Sequence, residues 1–247
     1  MQVFIAKDAA AAAVKAADIV ESVVRSRLRP RIGMATGSTM VGVYRSLVDR
    51  HQAGALGFSG TSVYLLDEYV GLDPGHPQAF RNVIREGFAD LVDLGDDAVF
   101  GPDGRARDLE AEAWRYDQLV TEARIDIQLL GIGGNGHIAF NEPGTPFDAP
   151  SSVVSLREQT RRDNARFFDS TEDVPRQAIT QGIGTILQSR KIVLVALGAH
   201  KARPICDALE KPATIETPAS AIQLHPDVSV VLDRDAASLL STARPEG

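Results

Sequence analysis

The 247-residue chain holds a single cysteine, Cys206, which excludes an internal disulfide. It reads as a reduced, partly buried thiol of a cytosolic protein. Its neighbours Pro204, Ile205 and Asp207 supply no cation that would activate it as a nucleophile. No apolar run is long enough to cross a bilayer. The alanine-rich start, Ala9 to Ala13, is framed by Lys7, Asp8, Lys15 and Asp18, so it is no signal-peptide core. It reads as a first helix with Asp8 as its N-cap. Positive charge is also short: 26 Lys and Arg face 33 Asp and Glu, a formal net charge of -7. That excludes unspecific binding to nucleic acid, which needs a basic face. It leaves open a small anionic substrate, which a few local cations hold. Internal repeats, low-complexity linkers and breaks in composition are absent, so residues 1–247 read as one domain.

What is present is ordinary for a soluble globular enzyme, with 44% hydrophobic and 24% charged residues. Short runs rich in Val, Ile and Leu predict strands at 3–5, 32–35, 62–66, 125–132, 191–197 and 228–232. Their lack of strict alternation suits strands covered on both faces. Helical periodicity falls between them, at Ala9–Leu28, Thr39–Gln52, Pro77–Leu91, Leu109–Ala123, Pro175–Gln188 and His200–Leu209. The alternation predicts an α/β domain with a mainly parallel, doubly wound, Rossmann-like sheet and helices on both faces. The stretch from Pro143 to Pro175 is rich in charge and poor in strand signal, and predicts a lid within 144–175. The tail Ser241–Gly247 is expected to fray.

In such a sheet ligands sit outside the carboxyl ends of the strands. That rule gathers the turns after Ala35, Leu66, Ile132 and Leu197. After Ile132 comes Gly133-Gly134-Asn135-Gly136-His137, followed by Phe140-Asn141-Glu142-Pro143-Gly144. Gly133 and Gly134 let a ligand approach the backbone. A histidine near a carboxylate is raw material for acid–base chemistry. Thr36-Gly37-Ser38-Thr39 opens a helix, where N–H groups favour an anion; plain capping by Ser38 or Thr39 is the bland alternative. Asp67 and Glu68 follow the third strand and point to different sides, so one is free for chemistry while the other packs or pairs. Arg161, Arg162 and Arg166 lie in the lid segment, and Lys201 follows the fifth strand; each is able to reach a phosphate.

Leu66-Asp67-Glu68-Tyr69-Val70-Gly71-Leu72 with His76-Pro77, the glycine stretch running to Phe140-Asn141-Glu142-Pro143, and Gln223-Leu224-His225-Pro226 together resemble the glucosamine-6-phosphate deaminase family. Order and spacing match from the first strand to Leu232. The resemblance implies conversion of glucosamine 6-phosphate and water to fructose 6-phosphate and ammonia in the cytoplasm, with no metal or organic cofactor. It implies Asp67 as the base moving a proton between C2 and C1. It implies His137 as the ring-opening group, oriented by Glu142 and Asn135. It implies Thr36 to Thr39, with Arg166 and Lys201, as the phosphate site.

Three departures shape the expectations. Asn135 stands where many of the family have Asp, leaving Glu142 as the only carboxylate of the local motif able to stabilise an imidazolium. Ala149 to Val154 lacks the cations that allosteric hexameric members use to bind a phosphorylated activator, and the segment after the last strand is shorter. These differences imply a monomer or small homo-oligomer without that regulation. Gln78-Ala79-Phe80 replaces the family's usual Ser-Tyr, so sugar preference stays open. Galactosamine 6-phosphate deamination, 6-phosphogluconolactone hydrolysis, and a non-catalytic sugar-phosphate sensor, as in related effector domains, are the alternatives. Neither membrane nor nucleic acid is expected as a partner.

Overall fold

The computed structural model describes residues 1–241. Ten strands are present among them: β1 (Gln2–Ala6), β2 (Arg31–Met34), β3 (Ser62–Leu65), β4 (Asp67–Tyr69), β5 (Val99–Phe100), β6 (Ile127–Leu130), β7 (Ser152–Ser155), β8 (Gln177–Thr180), β9 (Ile192–Ala196) and β10 (Val228–Asp233). The helices are α1 (Ala9–Ser26), α2 (Ser38–Gln52), α3 (Phe80–Gly87), α4 (Leu109–Ala123), α5 (Glu158–Asn164), α6 (Ile183–Ile186), α7 (Ala202–Glu210) and α8 (Arg234–Ala237).

Seven strands form one sheet in the order β1-β10-β9-β6-β2-β3-β5. Every pairing in it is parallel. Strands β9 and β10 are buried along their whole length, which is why their sequences run apolar without alternation. Helix α1 starts as its sequence dictates, with the Asp8 carboxylate accepting the Ala11 N–H at 2.8 Å. Its buried face is Ala12, Ala13, Ala16, Ala17, Val20 and Val24, small enough to bring α2 close. A Cβ on Gly42 of α2 would stand 3.0 Å from that of Ala13. The six strands foreseen from the sequence are all here; β5 extends the sheet by two residues beyond β3.

The chain runs outward from β2 through β3 to β5, then returns to lay β6 on the other side of β2. The strand order therefore reverses between β2 and β6, which opens a crevice at their carboxyl ends. The four central strands, β9-β6-β2-β3, are the four whose following turns carry the singled-out residues.

A second sheet of three antiparallel strands, β4-β8-β7, corrects the sequence reading. The helix expected at Pro175–Gln188 is strand β8 followed by the single turn α6. Gly182 stands at the switch from β8 to α6 as that helix's N-cap, and it passes so close to the 149–150 backbone that a Cβ would stand 2.1 Å from the Ala149 carbonyl oxygen. The lid segment likewise contains β7, paired with β8 from Ser152↔Thr180 to Ser155↔Gln177. Its sheet packs Tyr69, Phe140, Leu156 and Ala178 into a small separate core with Phe80 and Phe168.

Two helix starts also move. Helix α3 begins at Phe80, three residues after the expected Pro77, because Glu68 caps it there. Helix α7 begins at Ala202 after a 3-10 turn at Ala199–Lys201. The expected fraying does not hold for Ser241, whose N–H and hydroxyl both reach Glu210 at 2.6 Å; positions 242–247 lie outside the described residues. Cys206 is half-buried, and burial with the nearby Glu210 pushes its thiol pKa up, away from nucleophilic use.

Candidate active site

The glycine turn after β6 folds tightly. Gly133 donates its N–H to the His137 carbonyl at 2.8 Å, and the imidazole lies flat against it: a Cβ on Gly133 would meet the ring at 2.2 Å. The chain then reverses over Ile138–Asn141, with Ala139 in the left-handed region at φ 49°. Asn141 is buried and braces this reversal, donating to the carbonyls of Ile138 at 3.0 Å and Gln181 at 2.8 Å. Thr180 of β8 accepts the Phe140 N–H at 3.1 Å. The reversal carries Glu142 back over Asn135.

Glu142 does not touch the imidazole directly; its nearest oxygen is 4.0 Å from His137 Nδ1. Asn135 stands between them. Its Nδ2 donates to Glu142 Oε2 at 2.6 Å, and its Oδ1 lies 2.7 Å from His137 Nδ1. Oδ1 also accepts the His137 backbone N–H at 3.2 Å. A carboxylate only accepts and a backbone N–H only donates, so both neighbours fix the amide in this orientation. It follows that Nδ1 carries the proton and Nε2 presents its lone pair outward. Loss of solvent holds the imidazole pKa below its usual value, while Glu142 and Asp163 of α5 oppose that shift. The local motif is thus joined by a second carboxylate from α5 that the sequence did not single out.

Asp67 and Glu68 divide as the sequence suggested. Glu68 accepts N–H groups from Tyr69 at 2.9 Å, Phe80 at 2.8 Å and Arg81 at 2.9 Å, so it caps α3 and anchors the loop. Among the described residues no hydrogen bond reaches the Asp67 carboxyl. It is only 7% exposed, and desolvation, with Glu68 adjacent, pushes its pKa up to about 8. The carbonyl of Leu66, just before it, accepts the Gln181 N–H at 2.7 Å, tying the end of β3 to the second sheet.

At the end of β2, helix α2 opens on exposed Gly37, held at φ 102° with no side-chain cap. Capping by Ser38 or Thr39 is therefore not what these residues do: the N-cap is Gly37, and both lie inside the first turn of α2. After β9, Gly198 donates to both oxygens of Asp233 at 3.0 and 2.9 Å, and this fixes the turn that carries Lys201. Burial lowers the Lys201 pKa; Asp163 counters this and Arg166 adds to it. Lys201, Arg166, Asp163, His137 and Glu142 therefore share one electrostatic neighbourhood. Arg161 does not join it, since its guanidinium holds the carbonyls of Thr171 and Val174 at 2.7 and 3.1 Å. Arg162 pairs with Glu158 on the exposed side of α5.

Thr160, Asn141 and Asp233 are the functional supports that sequence reasoning missed. Each stands beside other polar residues with nothing local to single it out, and only the tertiary fold reveals its partner: Glu142 for Thr160, the Gln181 carbonyl for Asn141 and the Gly198 N–H for Asp233.

This geometry has known counterparts. The family model of glucosamine-6-phosphate isomerases and 6-phosphogluconolactonase matches residues 6–231. Glucosamine-6-phosphate deaminase of Rhodococcus opacus (strain B4) is 50% identical over 228 residues, 92% of this chain and 88% of that one. The deaminase of Geobacillus sp. (strain WCH70) is 46% identical over 227 residues, 92% of this chain and 90% of that one. A solved structure described as a monomeric glucosamine-6-phosphate deaminase superposes with a TM-score of 0.95 at 43% identity, over 97% of this chain and 100% of that one. The 6-phosphogluconolactonase of Trypanosoma brucei shares the fold at 20% identity, with a TM-score of 0.77 over 97% of this chain and 98% of that one. With the family model matching residues 6–231 and relatives at 46–50% identity over 92% of its length, the chain belongs to the glucosamine-6-phosphate isomerase/6-phosphogluconolactonase family.

Proposed function

We propose that the chain is an enzyme that converts glucosamine 6-phosphate and water to fructose 6-phosphate and ammonia. The observation that carries the reading is Asp67: a buried carboxyl without a hydrogen bond, at the carboxyl edge of the sheet, with its pKa raised to about 8. Such a group is a strong base once ionised, and a substrate ammonium beside it favours that ionisation. High identity to proteins named deaminases supports this substrate over the lactone, since likeness to the lactonase extends to the fold alone.

In this reading the phosphate sits on the N-terminus of α2, on Thr36, Gly37, Ser38 and Thr39, with Lys201 and Arg166 closing on it. Two cations side by side, opposed only by Asp163 in the electrostatics of Lys201, suit a dianion. Gly134, with open space where a Cβ would stand, leaves room for the sugar against the backbone, whereas the space beside Gly133 is taken by the His137 ring. His137 Nε2 takes the C1 hydroxyl proton and delivers it to the ring oxygen, opening the ring; Asn135 and Glu142 hold the ring in the tautomer that permits this. Asp67 removes the C2 proton of the open chain and returns it to C1, while one proton of the substrate ammonium passes to the C1 oxygen. The resulting C2 imine adds water and releases ammonia. Each role uses only proton transfer by groups of this chain. The chain works as a monomer, as the superposing deaminase is described to be.

The test is a coupled assay of ammonia and fructose 6-phosphate over glucosamine 6-phosphate, galactosamine 6-phosphate and 6-phosphogluconolactone. Equimolar ammonia and fructose 6-phosphate from the first sugar supports the reading. Preference for the epimer, or hydrolysis of the lactone alone, overturns it.

A further inference from the structure

The lid helix α5 is tied into the imidazole's hydrogen-bond chain at one point. Thr160, 5% exposed, donates its hydroxyl to Glu142 Oε1 at 2.5 Å. Oε2 of the same carboxylate takes the Asn135 amide at 2.6 Å. Each carboxylate oxygen thus has its own donor, and the carboxylate is held in one rotation. Three hydrogen bonds in series, Thr160 to Glu142, Asn135 to Glu142, and His137 Nδ1–H to Asn135, connect α5 to the ring. We propose that Thr160 is a positioning residue for His137, acting through Glu142 and Asn135 to keep the proton on Nδ1 and the lone pair on Nε2. The inference rests on the reading of the site given above and adds a residue to it.

The surroundings say what happens without that hydroxyl. Arg157, held on the Pro143 carbonyl at 2.8 Å, places its guanidinium 3.7 Å from Glu142 Oε2. With Oε1 undonated, the carboxylate gains by turning toward that cation and loosening from Asn135. The Asn135 amide is then free to flip, and a flipped amide offers N–H where the imidazole needs an acceptor. The ring answers with the opposite tautomer, which places N–H where the C1 hydroxyl proton must go. The same α5 carries Asn164, hydrogen-bonded to Tyr69 of β4, the strand that begins at Asp67, and leads directly into Arg166. The helix that braces the imidazole through Thr160 is therefore the one that leads into Arg166.

The experiment compares Thr160→Val and Thr160→Ser with the parent chain. Valine keeps the β-branched shape, so the change is chiefly loss of the hydroxyl donor to Glu142. The readouts are kcat, KM and their pH dependence on glucosamine 6-phosphate, and the His137 tautomer by long-range proton–nitrogen NMR. The valine variant is expected to lose about ten- to a hundredfold in kcat, with KM changed less than about twofold. Its His137 is expected to populate both tautomers, and serine is expected to restore both properties. A valine variant with parental kcat and a single Nδ1–H tautomer overturns the proposal. So does a loss confined to KM, which means α5 merely carries Arg166. If the parent chain releases no ammonia, the proposed function fails, and the tautomer measurement still decides the role of Thr160.

Discussion

Two adjacent carboxylates with opposite fates show how backbone geometry assigns chemistry. Glu68 is satisfied by three N–H groups, whereas Asp67 receives no hydrogen bond among the described residues. That one of the pair would be free was legible from strand alternation; that the satisfied one caps α3 was not, since the cap spans a loop of no regular pattern. Asp67→Asn is expected to lower kcat by about a thousandfold or more, as removal of a general base does, while substrate still binds. Its pH signature follows from the raised pKa. The acid limb of kcat/KM is expected near 8, because the base of the free enzyme must lose its proton first. Stability moves the opposite way. The folded state holds the Asp67 proton more tightly than the unfolded state, so stability falls as pH rises from the ordinary carboxylate value to about 8. Asp67→Asn is therefore expected to raise the melting temperature at alkaline pH and to change it little in acid. Calorimetry at two pH values checks this, and an equal shift at both contradicts it.

At the scale of elements, the parallel sheet was legible and the antiparallel one was not. Strands β9 and β10 announce themselves because burial on both faces forces continuous apolar runs. Strands β4, β7 and β8 are three to four residues long, half polar, and paired across long sequence separations, so no local period marks them. Segment 175–188 misleads because Ala178, Ile179, Ile183 and Ile186 mimic a helical stripe. The second sheet depends on a close approach at Gly104, where a Cβ would stand 2.0 Å from the Tyr69 carbonyl oxygen. A backbone atom does not swing aside, so Gly104→Ala is expected to displace β4, cost about 1–3 kcal/mol of stability and lower kcat. A melt and a rate measurement on that variant check both effects. On the phosphate side, Arg166→Ala and Lys201→Ala are each expected to raise KM about tenfold or more, as loss of a charge-assisted hydrogen bond does. An unphosphorylated amino sugar is expected to be indifferent to both changes, and unchanged KM values would place the phosphate elsewhere.

For the whole molecule, a net charge of -7 is compatible with the proposed phosphate site because Lys201 and Arg166, from separate elements, are gathered locally. The segment 149–154 carries no cation, and three of its residues lie in strand β7. A phosphorylated effector has nothing there to offset desolvation of its charge. Saturation curves are therefore expected to be hyperbolic and insensitive to N-acetylglucosamine 6-phosphate; sigmoidal curves straightened by that compound would count against the account. The four loops of the site were legible together only because the topology of a doubly wound sheet dictates where its strands end. Their hydrogen-bond partners, Thr160 above all, come from segments that no such rule connects. The central claim is that this crevice deaminates glucosamine 6-phosphate through Asp67. The most direct measurement is ammonia release from that sugar by the parent chain and by Asp67→Asn, side by side above pH 8. The account predicts ammonia and fructose 6-phosphate in equal amounts from the parent, and bound substrate without product from the variant. Comparable ammonia from both would contradict it.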